Sequence, residues 1–141
     1  MPEPPQITLT SFGYKTGIVP VSNLTFDVRF LKNPYWEEAL RPFSGLDKNI
    51  QEYVLSQQAA IDFLDLLFPF LNTYIGQLRN SGENQIKIAF GCTGGHHRSV
   101  VMVEAVAQTL QENFPNAVIS KLHRELSTGS SRGAKTSEEH L

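Results

Sequence analysis

The chain has a single cysteine, Cys92, in 141 residues, so no intrachain disulfide can form and a reducing, cytoplasmic setting is expected. It has no marked excess of either charge. Twelve Lys and Arg stand against fourteen Asp and Glu, for a formal charge of -2, which does not mark a nucleic-acid binder by bulk electrostatics. Residues 1–6 carry no basic segment followed by an apolar one, so no signal peptide is predicted. The longest strongly apolar stretch, Leu64 to Leu71, is interrupted by Asp65 and Pro69. It falls short of the roughly 20 residues that a membrane span needs, so no membrane partner is expected. Neither G-x-x-x-x-G-K-[ST] nor G-x-G-x-x-G occurs, which removes the nucleotide P-loop and the dinucleotide fingerprint. No His, Cys and carboxylate set is spaced for zinc, so neither a metal nor a cofactor is expected.

What is present is a globular composition, 40% hydrophobic, sized for one domain. Residues 1–6 are expected to be a flexible arm, 7–126 the folded domain, and 127–141, almost without apolar residues, a disordered tail. Strands are predicted at Ile7–Thr10, Leu24–Val28, Ile86–Gly91 and Ala117–Lys121. Ser11 to Gly17 is predicted as a loop. Residues 29–49, with Asn33-Pro34, Arg41-Pro42 and Ser44-Gly45, are predicted as an irregular connection with one helical turn near Tyr35 to Ala39. Its length points to function. From Asn49 to Asn80, apolar residues recur at helical spacing. Asp47 or Asn49 is placed to cap the start, and Pro69 predicts a kink or two successive helices. A further helix is predicted from His96 to Asn113. The fold class is α/β, a single domain with a mixed or parallel sheet and a βαβ unit around a glycine-rich turn.

That turn, Gly91-Cys92-Thr93-Gly94-Gly95-His96-His97-Arg98-Ser99, is the strongest functional signal. Ligands of open α/β sheets sit at the carboxyl ends of the strands, and a strand here runs into a helix. The first N–H groups of the helix lack intrahelical acceptors. Gly94 and Gly95 let the backbone curl so that these groups converge on an anion. His96, His97 and Arg98 place cations where they oppose the helix dipole, at about 0.3–1 kcal/mol each when charged. An anion in the turn would explain the arrangement. Arg98 would fork two phosphate oxygens, with the hydroxyls of Thr93 and Ser99 donating beside it.

The pattern C-x-x-G-x-x-R-S from Cys92 to Ser99 resembles the phosphate loop of protein tyrosine phosphatases, in which a thiolate attacks phosphorus. Gly91 stands where that family has histidine, and only Asp27 and Asp47 are available as acids. Ser11, Lys15, Asp27 and Arg29 lie in loops or at strand ends, where they are candidates to contact the rest of a ligand. Asp27 and Arg29 are equally well read as a surface ion pair. His123 and Arg124 follow the last strand, which would deliver them to the edge where the turn lies.

Four segments in order, Ser11–Gly17, Phe26–Pro34, Gly45-Leu46-Asp47 and Gly91–Val100, resemble the C-terminal domain of RapZ, also called YvcJ-like. The resemblance runs from about Ile7 to Glu125. It implies a fold related to a phosphofructokinase subdomain. In the enterobacterial members it implies a glucosamine-6-phosphate site and small-RNA binding. It also implies an N-terminal P-loop domain in full-length relatives, for which this chain has no motif. A homo-oligomer or a separate P-loop protein is a partner the resemblance leaves open. The tail holds Arg132 and Lys135 against Glu138 and Glu139, so phosphate neutralisation for RNA is thin here. A domain that binds or senses a phosphorylated sugar is therefore expected first. A phosphatase using Cys92 and Arg98 comes second, and an RNA-binding adaptor third.

Overall fold

The computed structural model describes residues 3–126. In chain order these form β1 (Gln6–Gly13), β2 (Leu24–Asp27), two single-turn 3-10 helices (Pro34–Trp36 and Glu38–Leu40), α1 (Lys48–Leu55), α2 (Gln58–Asn80), β3 (Gln85–Cys92), α3 (Arg98–Asn113) and β4 (Val118–His123). The strands make one sheet in the order β2-β3-β1-β4, and every pairing is parallel. The domain is thus α/β with a purely parallel sheet. β3, α3 and β4 form the expected βαβ unit, with β1 lying between its two strands.

Alternation sorts the sheet into two faces. Ile7, Leu9, Ile86, Ile88 and Phe90 pack with Val101, Met102, Val106 and Leu110 of α3 and with Leu71 and Ile75 of α2 in one core. Thr8, Thr10, Lys87 and Ser120 point the other way and stay partly or fully exposed. β1 runs three residues past its predicted end at Thr10. Ser11, Phe12 and Gly13 look like loop residues, yet all three are buried strand. Ser11 is tolerated there because its hydroxyl is hydrogen-bonded to His123 Nδ1 at 2.8 Å. At the other end Gln6 belongs to β1 rather than to an arm, and the carbonyls of Pro4 and Pro5 accept from Asn84 and Val118. The tail expected from 127 lies outside the described residues.

The long helical pattern is two helices, but they break at Ser56-Gln57 rather than at Pro69. Gln57 is extended, and its amide binds the backbone of Lys32 on both sides, accepting from the N–H at 2.8 Å and donating to the carbonyl at 3.2 Å. That clasp fixes the chain where a helix would otherwise continue. Pro69 sits on the exposed side of α2 in line with Asp65, so the carbonyl it leaves without a donor faces water. By length and composition α2 is apolar enough to cross a membrane, which the sequence pattern did not predict. Here Ala60, Leu67, Leu71 and Ile75 bury one of its faces. Asp47 precedes α1, but its carboxylate accepts from Ser44 N–H at 2.8 Å instead of capping the helix.

Candidate functional site

β3 ends at Cys92 and α3 begins at Arg98, so Thr93 to His97 form the turn. β1 holds it from one side. Tyr14 N–H donates to Cys92 O at 2.8 Å and Lys15 N–H to Thr93 O at 3.2 Å. Gly95 has φ +79°, and a Cβ there would sit 2.6 Å from Gly13 N and against the Glu125 side chain. A Cβ on Gly13 would in turn sit 2.6 Å from the Gly94 carbonyl carbon. These two glycines allow the ends of β1 and β3 to approach closely enough to shape the turn.

The other side is held by the connection from β2 to α1. Gly45 N–H donates to His96 O at 2.8 Å. His97 Nε2 donates to the Phe43 carbonyl at 2.6 Å. Arg98 Nη1 donates to the carbonyls of Arg29 and Leu31, both at 2.9 Å, and Nη2 to Thr93 Oγ1 at 3.3 Å. The guanidinium is therefore fixed before any ligand arrives.

What these contacts leave open defines the chemistry. Among the hydrogen bonds of the described residues, none uses the backbone N–H of Thr93, Gly94, Gly95, His97 or Arg98. Arg98 is only 4% exposed, yet its Nε has no partner among the described residues. The first turn of α3 contains no acidic residue to offset the helix dipole,. Donors crowd around a cavity of 270 Å3 lined by Lys15, Asn33, Tyr35 and the residues from Cys92 to Arg98. No Asp or Glu of the described residues lines it. Burial lowers the pKa of both imidazoles, that of His97 to about 4. Burial thus disfavours the charged form of both imidazoles, and the other basic side chains of the lining are those of Arg98 and Lys15. Burial also lowers the Arg98 pKa, with Cys92 and Asp27 opposing the shift.

Cys92 is among the residues that line the cavity and is 2% exposed. Its thiol donates to Ser99 Oγ at 3.2 Å and accepts from Ser99 N–H at 3.4 Å. Ser99 is wholly buried behind the turn and supports the sulfur rather than lining the cavity.

Of the residues singled out from the sequence, Lys15, Cys92, Thr93, Gly94, Gly95, His97 and Arg98 come together around the cavity. Others do not. Ser11 is fully buried against His123, and His123 Nε2 faces Glu104 at 2.7 Å. Arg124 reaches back to the carbonyls of Gly13 and Ile18 and to Glu125, bracing the segment after β1. Asp27 and Arg29 form a surface ion pair at 2.6 Å, and Arg29 lies 3.9 Å over the Tyr14 ring. β4 does run parallel toward the turn, but α3 and the segment after β1 take up its terminal side chains. Asn33 and Tyr35 also line the cavity. Asn33 lay in the Phe26–Pro34 segment of the family resemblance, and the only signal for Tyr35 was the unusual length of the connection that bears it. A larger groove of 720 Å3, walled by Leu55, Ile61, Leu64 and Phe68, lies elsewhere between the helices and β4.

The family model described as the RapZ C-terminal domain matches residues 5–127. A nucleotide-binding protein of Corynebacterium efficiens is 43% identical over 120 residues, which are 85% of this chain and 38% of that protein. One of Mycolicibacterium smegmatis is 42% identical over 120 residues, 85% of this chain and 41% of its own length. One of Thermodesulfovibrio yellowstonii is 43% identical over 122 residues, 86% and 42%. The chain thus spans about two fifths of the length of these relatives.

Proposed function

The chain belongs to the family of RapZ C-terminal domains, and on that premise we propose that the turn after β3 binds the phosphoryl group of a small phosphorylated metabolite, as a sensor. One observation carries this: five N–H groups of the turn and a buried guanidinium Nε, without acceptors among the described residues, belong to residues lining one cavity. For the Nε, the donor shown to be buried, being left unpaired costs about 1–3 kcal/mol. A tetrahedral oxyanion offers acceptors in several directions at once. The cavity is small beside the roughly 300–1,000 Å3 of drug-sized pockets, which fits a phosphate and one ring. Lys15, Asn33 and Tyr35 supply an ammonium, an amide and a phenol for hydroxyls on that ring. Glucosamine-6-phosphate is the ligand that the family resemblance implies, and its amino group would meet only the neutral side chains of Asn33 and Tyr35 in this lining.

The relatives' names make nucleotides the competing ligand class, although those proteins extend well beyond the matched region. The test is calorimetric titration with glucosamine-6-phosphate, inorganic phosphate and ATP in parallel. The expected result is saturable sugar-phosphate binding that is tighter than phosphate and weakened in Lys15→Ala. ATP binding tighter than the sugar phosphate would refute the amino-sugar assignment. Absence of binding by all three would refute the anion site.

A further inference from the structure

Resting on the turn's role as a phosphate site, we propose that Cys92 is a nucleophile toward phosphate esters whose leaving groups are stable anions, namely acyl and aryl phosphates. Four observations meet at this sulfur. Its residue lines the cavity, next to the turn whose N–H groups at Thr93, Gly94, Gly95, His97 and Arg98 have no acceptor among the described residues. Arg98, six residues on, also lines that cavity; it is 4% exposed, and its buried Nε has no hydrogen-bond partner among the described residues. Ser99 contacts Sγ through both its hydroxyl, at 3.2 Å, and its N–H, at 3.4 Å. The sulfur also lies at the N-terminal end of the 16-residue α3. When the thiol ionises, the Ser99 hydroxyl can rotate and donate to sulfur, so both contacts then point a proton at the thiolate.

The reaction balances with water as the only co-reactant. The thiolate attacks phosphorus, and an S–P bond forms as the P–O bond to the leaving group breaks. The leaving group departs with the electron pair, as a carboxylate or a phenolate. Water then attacks phosphorus, the S–P bond breaks, the thiolate is restored, and inorganic phosphate and one proton are released.

The restriction to such leaving groups follows from the carboxylic acid the site lacks. No carboxyl group of the described residues lines the cavity, whose remaining proton carriers are Lys15, Tyr35 and His96. Asp27 is tied to Arg29 by three hydrogen bonds, and that contact keeps its pKa below the ordinary value, so it holds no proton to give. Asp47 is turned to Ser44 N–H, and the His97 Nε2 proton is committed to the Phe43 carbonyl. An alkyl ester must leave as an alkoxide and needs a proton, so a sugar 6-phosphate binds and stays intact. A missing general acid is worth about 100- to 10,000-fold in rate.

The experiment gives the parent protein 4-nitrophenyl phosphate, acetyl phosphate and glucosamine-6-phosphate, and follows product release. After rapid denaturation, mass mapping then looks for a phosphoryl group on the peptide containing Cys92. Phosphate affinity is measured in parallel by calorimetry. The expected result is turnover of the first two substrates, at least about 100-fold faster than the third, with the adduct on Cys92. Cys92→Ser should lose turnover and adduct and keep phosphate binding. Phosphate binding by the parent without turnover or adduct overturns the nucleophile and leaves the binding site standing. No phosphate binding overturns both.

Discussion

His97 should make the domain lose stability on mild acidification. Its imidazole is 6% exposed, and Nε2 donates to the Phe43 carbonyl. Burial lowers its pKa from 6.5 to about 4, against the opposing Phe43 hydrogen bond. A histidine whose pKa falls on folding is held neutral in the native state. Its contribution is complete above the unfolded value and is lost as pH drops from 6.5 toward 4. Linkage over that shift gives a loss of about 2 kcal/mol between about pH 7 and pH 5. The carboxylates of Asp27, Glu104 and Glu125 also have lowered pKa values. Their contributions fade only below the ordinary carboxylate range, so they leave this window to histidine. His96 is lowered by burial as well and acts in the same direction. The control is therefore His97→Gln, which keeps a donor for Phe43 O and cannot titrate. Urea unfolding midpoints at the two pH values, for parent and variant, isolate the effect of His97. A parent that loses no more stability than His97→Gln across that window would refute a neutral, buried His97.

Three further outcomes follow from named contacts. Gly95→Ala must hold a side chain at φ +79° and 2.6 Å from Gly13 N, so thermal unfolding should show a loss of about 2 kcal/mol or more. Arg98→Lys keeps the charge but cannot reach the carbonyls of Arg29 and Leu31 while also presenting an N–H to the cavity. Phosphate affinity by calorimetry should fall about tenfold or more, with a stability loss of about 1–3 kcal/mol in urea. Asp27→Asn breaks an ion pair whose side chains are each 46% exposed, and chemical unfolding should register less than about 1 kcal/mol.

The turn was legible in the sequence because its requirements are side-chain requirements. Gly95 is there for its φ, whereas the Arg98 fork expected on phosphate goes instead to the carbonyls of Arg29 and Leu31 and to Thr93, and Ser99, expected to donate to the ligand, contacts Cys92. The α/β class and the βαβ unit were legible from periodicity for the same kind of reason. Ser11 and His123 misled in opposite ways. Each looks like a polar strand-end residue available to a ligand, yet each satisfies the other 112 positions apart in the chain. No local pattern reports such a pairing. The helix break at Gln57 was equally hidden, because glutamine is a good helix former and only its clasp on Lys32 stops the helix there.

The connection from β2 to α1 explains why half of the site could not be read. It contributes Asn33 and Tyr35 to the cavity, but its larger part is played by main-chain atoms. The carbonyls of Arg29, Leu31 and Phe43 and the N–H of Gly45 hold Arg98, His97 and His96. Any residue except proline presents those groups, so side-chain identity is nearly silent about them, whereas the path of the chain is decisive. Two Nη1 bonds to that path and one Nη2 bond to Thr93 fix the guanidinium and leave Nε over. The same segment that the sequence presents as irregular is thus what orients the most buried cation of the site. That is a physical reason for a long connection to be kept in so small a domain.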